Sequence, residues 1–304
     1  MKIVFMGTPE FATNILAGLN EKYEISLVIS QPNREKKKGV LIQTPVAELA
    51  TNLGLKLIQP EKISEAYEEI KNVDAKVLVS AAYGQYIPSK ILNLFDYKIN
   101  VHGSLLPLHR GGAPIQRCLM NGDTKTGVTI MEMAKGLDTG KIYSMREYQI
   151  EEDDNSTTLF EKLSIIGKEL LLESFEDIVN GKNLGTPQDD SKSTYSKNIE
   201  KEEELIYLNK KSIDIVNQIR GLAMTPGAYI NVGDINLKVF KAKSMDYSGN
   251  EVPGTILSIK KGITIKTLDG AISLELVQMP GKKIITGKDF SNGQKLFQVG
   301  QVLA

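Results

Sequence analysis

The sequence is poor in cysteine and in long apolar runs. Its one cysteine, Cys118, excludes an internal disulfide bond and a cysteine-based zinc cluster. It lies between Ile115 and Leu119 on a predicted helix, where a buried hydrophobe is favoured over a reactive thiol. The apolar run at Met1–Gly7 is too short for a secretory signal, and no run approaches the about 18 residues of a membrane span. We therefore expect a cytoplasmic protein that contacts no membrane and holds no metal ion.

An excess of charge is also missing, because 37 lysine and arginine residues balance 37 acidic ones. The total therefore gives no support to a polyanionic partner. The halves differ, however: residues 208–304 carry 13 basic and 7 acidic side chains, and residues 1–207 carry 24 and 30. This asymmetry is equally compatible with a nucleic-acid partner for the C-terminal half and with random scatter of surface charge.

Short β-type runs alternate with helical patterns through the first half of the chain. The predicted strands are Ile3–Met6, Glu24–Ile29, Leu55–Ile58, Lys76–Val79 and Lys98–His102. The predicted helices are Phe11–Asn20, Thr44–Leu53, Ser64–Lys71, Pro88–Leu94 and a long amphipathic one at Thr157–Asn180. This alternation implies right-handed crossovers and a mainly parallel, Rossmann-like α/β sheet.

The second half has a different pattern. The polar stretch 181–203 lacks an apolar period and indicates an interdomain linker, which we place at 186–207 between domains at 1–185 and 208–304. A helix is predicted at Ser212–Arg220. Short strands follow at Ile235–Phe240, Gly254–Ile259, Ile263–Thr267 and Ala271–Gln278. This spacing predicts a small β-barrel of the oligonucleotide-binding type, a fold that commonly presents a basic face to nucleic acid.

Two loops of the first half resemble binding loops by position. Gly7-Thr8-Pro9 follows the first strand, but G-x-G-x-x-G is absent, which excludes NAD binding there. Instead, Thr8 is predicted to cap a helix with Pro9 in its first turn. The basic segment Asn33–Gly39 is either a solvated surface loop or a mobile binding loop.

Both histidines of the chain lie in one stretch, at 102 and 109. Asn100 and His102 are two apart on a predicted strand, so their side chains point the same way at its carboxyl end. Asp138 lies in Gly136–Gly140, and a carboxylate near an imidazole would orient it and stabilise its protonated form. Taken singly, a histidine at a strand end is more often a hydrogen-bonding residue than a catalyst, and an aspartate between glycines is more often a turn former. The pair is what favours a catalytic site.

Several motifs resemble the formyltetrahydrofolate-dependent formyltransferase family. The most specific are Asn-x-His-x-Ser-Leu-Leu-Pro at 100–107 and Leu-Asp-Thr-Gly at 137–140. Further similar segments of the first half are Phe5–Ala12, Gln31–Arg34, Ala82–Gly84, Ile87–Pro88, Ala113–Gln116 and Gly127–Met131. Those of the second half resemble the branch that acts on methionyl-tRNA: Thr194-Tyr195, Lys201–Glu203, Gln218–Leu222, Pro226–Ala228 and Pro253–Ile256.

The resemblance implies transfer of a formyl group from the cosubstrate 10-formyltetrahydrofolate to the α-amino group of methionyl initiator tRNA, for translation initiation. It implies that Asn100 stabilises the oxyanion of a tetrahedral intermediate and that His102 performs general acid–base catalysis. Asp138 would hold His102 or an ordered water. Which of His102 and Asp138 takes the proton first stays open. The implied partners are this tRNA and the folate, and we expect a monomer.

Two sets of binding residues follow from the same resemblance. The pterin is expected against Ala82, Tyr83, Gly84, Ile87, Ser104, Leu105, Leu106 and Pro107. The two leucines are equally compatible with core packing. The tRNA is expected to contact Arg34, Lys36, Lys37, Lys38 and Arg110. The sequence departs from the family pattern at acceptor-contact positions, namely Lys38, Leu108, His109 and 223–225.

Two alternatives stay open. An N-formyltransferase acting on a nucleotide-linked amino sugar would keep the chemistry and change the acceptor, but the basic C-terminal half argues against it. A catalytically silent RNA-binding protein would not need Asn100, His102 and Asp138 together.

Overall fold

The computed structural model describes residues 1–36, 40–260, 262–293 and 296–303. The chain forms two compact units. The first comprises Met1–Pro114, Lys125–Gln149 and Leu159–Lys197, and the second comprises Ile115–Thr124, Ile150–Thr158 and Asn198–Ala304. Each unit therefore gathers segments from separate parts of the chain. The domain bounds at 185 and 208 stay a prediction.

A seven-stranded sheet forms the centre of the first unit. Its strands are β1 (Lys2–Gly7), β2 (Glu24–Ile29), β5 (Leu57–Ile58), β6 (Val77–Ala81), β7 (Tyr97–His102), β8 (Lys125–Glu132) and β9 (Ile142–Gln149), while β3 (Arg34–Lys36) and β4 (Val40–Ile42) form a separate hairpin. The order is β5-β2-β1-β6-β7-β8-β9. The strands from β5 to β7 pair in parallel, and β8 and β9 extend the sheet antiparallel. The predicted mainly parallel α/β sheet is confirmed.

Helices lie in the connections between these strands, and the last of them follows β9. They are α1 (Glu10–Lys22), α2 (Pro45–Asn52), α3 (Tyr67–Lys71), α4 (Ser89–Leu92), α5 (Pro114–Asn121) and α6 (Ser156–Val179). The first half of the helix predicted at Ser64–Lys71 is a 3₁₀ turn at Ile63–Ala66. β1 and β6 are buried almost throughout, as expected for parallel strands covered on both faces.

Helix α6 lies close to the strands that carry the predicted site. A side chain at Gly167 would come within 3.0 Å of Val101 Cγ1 on β7 and 3.5 Å of Val128 Cγ1 on β8. The missing Cβ therefore allows the close approach of helix and sheet. In the neighbouring turn, the hydroxyl of Ser164 donates to the carbonyl of Phe11 at 2.7 Å, which ties α6 to α1.

The predicted helix cap at Thr8 is wrong. Helix α1 begins at Glu10 with Pro9 in the cap position, and Pro9 makes no side-chain cap hydrogen bond. The hydroxyl of Thr8 instead donates to the carbonyl of Tyr83 at 2.8 Å and accepts the backbone N–H of Gln31 at 3.3 Å. Thr8 therefore connects the chain segments that follow three neighbouring parallel strands, and this tertiary contact replaces the local cap.

The second unit is built on an antiparallel sheet. Its strands are β10 (Ala228–Val232), β11 (Ile235–Met245), β12 (Ile256–Ser258), β13 (Ile263–Lys266), β14 (Ala271–Gln278) and β15 (Ile285–Thr286), and its later helices are α7 (Ser212–Gly221) and α8 (Gly287–Gly293). The order is β10-β11-β14-β13-β12, with β15 beside β14. The sheet curls into a half-barrel, which supports the predicted small barrel-like domain. Its core includes Ile215 and Ile219 of α7.

The predicted linker is not a free tether in its first half. Thr186 pairs with Ile142, and Tyr195 pairs with Arg110, both in the first unit. Beyond Lys197 the chain belongs to the second unit, where Leu205 pairs with Tyr229. Within the described parts of the chain, no helix has both the length and the apolar character needed to cross a membrane.

Helix α6 offers a test of the core. Leu163 is fully buried and Ile165 is 40% exposed on the same helix. We expect Leu163→Ala to lower the free energy of unfolding by about 2–5 kcal/mol, because it removes buried methyl groups and leaves a cavity. Ile165→Ala, the matched control, should cost no more than about 1 kcal/mol. Urea denaturation of both variants measures the difference, and equal losses would contradict this placement of α6.

Candidate active site

Asn100 and His102 stand on β7, with β6 and β8 as neighbours. Asn100 pairs with Ser80 of β6 and Met131 of β8, and His102 pairs with Thr129 of β8. The two side chains share a face because residues alternate along a strand. His102 is 6% exposed, whereas Asn100 is half-buried and its amide has no hydrogen-bond partner among the described residues. The amide is therefore available to a substrate.

The ring of His102 is held by one nitrogen. Its Nε2 lies 3.0 Å from the carbonyl oxygen of His109. Because a carbonyl oxygen only accepts, Nε2 carries the proton of this bond. In the neutral ring Nδ1 is then the nitrogen with a free lone pair. Nδ1 faces Asp138 Oδ2 at 3.8 Å, which is longer than a direct hydrogen bond. The structure thus brings together His102 and Asp138, which lie in separate sequence motifs.

Asp138 is positioned by its backbone and by its carboxylate. Its φ is +52°, a left-handed conformation that aspartate tolerates better than most residues. Its Oδ2 accepts the backbone N–H of Gly111 at 2.8 Å. The side chain retains only 16% of its exposed surface. An imidazolium at His102 would therefore have a fixed carboxylate as its counter-charge.

The loop after β6 holds the first half of the predicted pterin site. Ala82 and Gly84 are exposed and adopt left-handed conformations, with φ of +45° and +87°. Between them, the carbonyl of Tyr83 accepts hydrogen bonds from Thr8 Oγ1 and Gln31 Nε2. The ring of Tyr83 is buried, and this burial raises the pKa of its phenol to about 12. Tyr83 and Ile87 belong to the core, so of the predicted pterin contacts in this loop Ala82 and Gly84 are the ones exposed to a ligand.

The loop after β7 holds the second half. Ser104 Oγ donates to the carbonyl of Leu108 at 2.7 Å. Thr129 Oγ1 donates to the carbonyl of Ser104 and accepts the N–H of Leu106. Leu106 is buried and packs as a core residue, while Leu105 and Pro107 are half-buried. The hydroxyl of Thr129 therefore shapes the loop beside His102.

The predicted tRNA contacts fall into different surroundings. Arg34 is exposed at the start of β3. The backbone of Lys36 lies in β3, and Lys37 and Lys38 lie outside the described residues. Arg110 is 1% exposed. Its contact with tRNA stays a prediction, but its guanidinium is bonded to Gln188 Oε1, at 3.1 and 2.7 Å, and to Asp190 Oδ1, at 2.6 Å.

The segment 188–196 contributes residues that sequence reasoning assigned to the linker. Gln188 Nε2 donates to the carbonyls of Asp138 and Gly140, at 2.8 and 2.7 Å. The N–H of His109 donates to Thr194 Oγ1 at 2.8 Å, and His109 Nδ1 lies 2.8 Å from Ser196 Oγ. Gln188, Thr194 and Ser196 therefore bond to the predicted site, although the polar composition of the segment resembles that of a linker. The similarity of Thr194-Tyr195 to the family was the one signal for it.

Side chains that could ligate a metal ion are not clustered among the described residues. In the portion of the chain that the structure describes, no group of three or more His, Cys, Asp or Glu residues is arranged to hold a metal ion.

Comparison with known proteins finds relatives along nearly the whole chain. The formyl transferase family matches residues 1–175, and the C-terminal domain family of formyl transferases matches residues 198–295. Methionyl-tRNA formyltransferase of Streptococcus pneumoniae serotype 19F (strain G54) is 44% identical over 298 residues, which are 96% of this chain and 95% of that protein.

Solved structures share the fold at lower identity. An N-formyltransferase from Helicobacter canadensis, in complex with folinic acid and dTDP-3-aminofucose, is 21% identical, with a TM-score of 0.68 over 92% of this chain and 99% of its own. HypX from Aquifex aeolicus in complex with tetrahydrofolic acid is 18% identical, with a TM-score of 0.66 over 96% of this chain, which spans 47% of that protein. These two show the fold alone. The two family matches and the 44% identity over nearly the whole length show that the chain belongs to the methionyl-tRNA formyltransferase family.

Proposed function

We propose that this protein transfers a formyl group from 10-formyltetrahydrofolate to the α-amino group of methionyl initiator tRNA, and that Asn100, His102 and Asp138 perform the chemistry. The observation that carries the site assignment is the orientation of His102. Its Nε2 is bonded to the His109 carbonyl, and its Nδ1 faces the Asp138 carboxylate at 3.8 Å on the strand face shared with Asn100.

Formyl transfer needs a donor for a developing oxyanion. When the amine nitrogen attacks the formyl carbon, the carbonyl oxygen becomes negatively charged. The amide of Asn100 has no other partner among the described residues and can donate to this oxygen without first breaking a bond. Removing one such donor typically costs about a hundredfold to a thousandfold in rate.

The transfer also needs a proton to move between two nitrogens. His102 accepts the proton of the attacking nitrogen at Nδ1, and Asp138 Oδ2 balances the charge of the imidazolium. His102 then returns the proton to N10 of the folate as the bond from N10 to the formyl carbon breaks. At 3.8 Å from Nδ1, the Asp138 carboxylate can stabilise the imidazolium of His102 as a nearby counter-charge or through one bridging water. In this proposal His102, and not Asp138, takes the proton first.

The exposed main chain at Ala82 and Gly84 suits the folate. A planar heterocycle is usually recognised by backbone donors and acceptors in a largely apolar cleft. Here the core residues Tyr83 and Ile87 anchor the loop from within, and Ser104–Pro107 is held by Thr129. The acceptor is proposed to be methionyl-tRNA and not an amino sugar, because the relative at 44% identity is a methionyl-tRNA formyltransferase, whereas the sugar enzyme is 21% identical.

Alanine variants test the catalytic residues. Asn100→Ala, His102→Ala and Asp138→Ala should each lower kcat by about a hundredfold or more, because each removes a group used in the transition state. Double variants should lose less than the product of the single losses, since the three residues act as a unit. The assay is transfer of labelled formyl from the folate to methionyl-tRNA.

Asp96→Ala is the control for these variants. Asp96 is an exposed carboxylate just before the opposite end of β7, and its loss should leave kcat unchanged. Near-normal turnover in all three alanine variants would overturn the site assignment. Transfer to a nucleotide-linked amino sugar but not to methionyl-tRNA would overturn the proposed acceptor.

Charge variants test how the tRNA is held. Phosphate contacts release counterions, so affinity should fall steeply with salt. Lys210 and Lys211 are exposed in the basic C-terminal region, and their joint change to alanine should weaken tRNA binding and reduce the salt slope by about 1 to 2. The control is the double variant Lys22→Ala with Lys182→Ala. Both lysines are exposed in the first unit, and their loss should leave the salt slope unchanged. Equal slopes for both pairs would show that the charge asymmetry is incidental.

A further inference from the structure

The segment Gln188–Ser196 makes more bonds to the active site than a connecting chain requires. It contacts the turn that carries Asp138, the residue whose carbonyl holds His102, and the glycine whose N–H holds Asp138. We name this segment the strap. All these contacts lie within the first unit.

Gln188 clamps the Asp138 turn with every polar group of its amide. Nε2 donates to the carbonyls of Asp138 and Gly140, and Oε1 accepts from both Nε and Nη2 of Arg110. The orientation of the amide is decided by its neighbours, since guanidinium only donates and carbonyls only accept. Arg110 is 1% exposed, so this clamp is held in place by a buried, planar group.

The same strap also fixes the other catalytic residue. Thr194 Oγ1 accepts the N–H of His109, whose φ is +58°. This left-handed conformation is uncommon for histidine, and it belongs to the residue whose carbonyl accepts from His102 Nε2. Arg110 then forms two backbone bonds with the strap, to Thr194 and Ser196.

Gly111 brings strap and catalytic turn into direct contact. Its φ is +115°, and a Cβ there would lie 2.6 Å from the carbonyl oxygen of Ser196. Because position 111 carries no side chain, the strap can pack against the peptide group that donates to Asp138 Oδ2.

We propose that the strap is a positioning element for catalysis, in which Gln188 sets the Asp138 turn and Thr194 sets the imidazole of His102 through His109. The inference rests on the proposed function, because it assigns these residues to the alignment of the proposed catalytic pair. Neither residue touches the reacting atoms, so both act on turnover through their partners.

Gln188→Glu isolates the first contact. The carboxylate keeps the size of the side chain and its acceptor towards Arg110, but it loses both N–H bonds to the carbonyls of Asp138 and Gly140. We expect kcat to fall by about tenfold to a hundredfold, because a small displacement of an aligned group is costly. The KM values of both substrates should stay within about threefold. Asn52→Asp, which makes the same amide-to-carboxylate change at an exposed position of the first unit, is the control and should leave kcat unchanged.

Combining Gln188→Glu with Asp138→Ala distinguishes a positioning role of Gln188 from a general loss of structure. In an Asp138→Ala background, Gln188→Glu should lower kcat less than about twofold further, because the group that it positions is gone. An equal loss in both backgrounds would overturn the proposal for Gln188. If Asp138→Ala itself leaves turnover normal, the proposed role of Asp138 fails instead, and near-normal turnover in all three alanine variants overturns the proposed site. Both failures are therefore distinguishable from a failure of the proposal for Gln188.

The histidine spectrum gives a second readout. With two histidines in the chain, the ¹⁵N signals of His102 are assigned by their loss in His102→Ala. Thr194→Val removes the acceptor of the His109 N–H with little change in shape. It should shift the Nε2 signal of His102 and lower kcat by about tenfold. Lowered thermal stability with an unchanged His102 spectrum and unchanged kcat would show a structural role only and would overturn the proposal for Thr194.

Discussion

The hydrogen bond between His102 Nε2 and the carbonyl of His109 determines what the proposed active site can do. It commits one ring nitrogen to the backbone and leaves the other, Nδ1, to exchange a proton. A tautomer set in this way needs a carbonyl that does not move. That carbonyl depends on the left-handed turn at His109, and the turn depends on Thr194 from far along the chain. The geometry of the proposed site is thus supported by successive hydrogen bonds, from the His102 ring to the His109 carbonyl and from the His109 N–H to Thr194 Oγ1.

The parallel sheet was predictable because its signal is local. Continuous apolar runs mark the buried strands, and the alternation with helices marks the crossovers. Asn100 and His102 were likewise predictable as a pair, since their spacing on a strand places both on one face. Their family motif then suggested the reaction. In these places the periodicity, the fold and the chemistry agree.

What could not be predicted depends on contacts between distant segments. Thr8 followed by Pro9 is typical of a helix cap, but the Thr8 hydroxyl bonds to the carbonyl of Tyr83 because three strand ends meet there. Segment 188–196 has the polar composition of a linker. Sequence alone cannot distinguish polar side chains that bond to backbone carbonyls from polar side chains that face solvent. Arg110 is a comparable case. From the sequence alone, its basic side chain suggests contact with an anionic partner. The structure buries that side chain against Gln188 and Asp190.

The strap also has a consequence for the order in which the enzyme becomes competent. Ribosomal synthesis proceeds from the N-terminus, and N-terminal domains generally fold first. The sheet and the three proposed catalytic residues are complete in sequence by residue 149, yet the groups proposed to align them arrive only with Gln188 to Ser196. A nascent chain, or a fragment cut at residue 185, would therefore hold the three proposed catalytic side chains without the contacts made by the strap. The proposed activity would thus depend on a segment that is synthesised after the strands of the core, and whose composition resembles that of a linker.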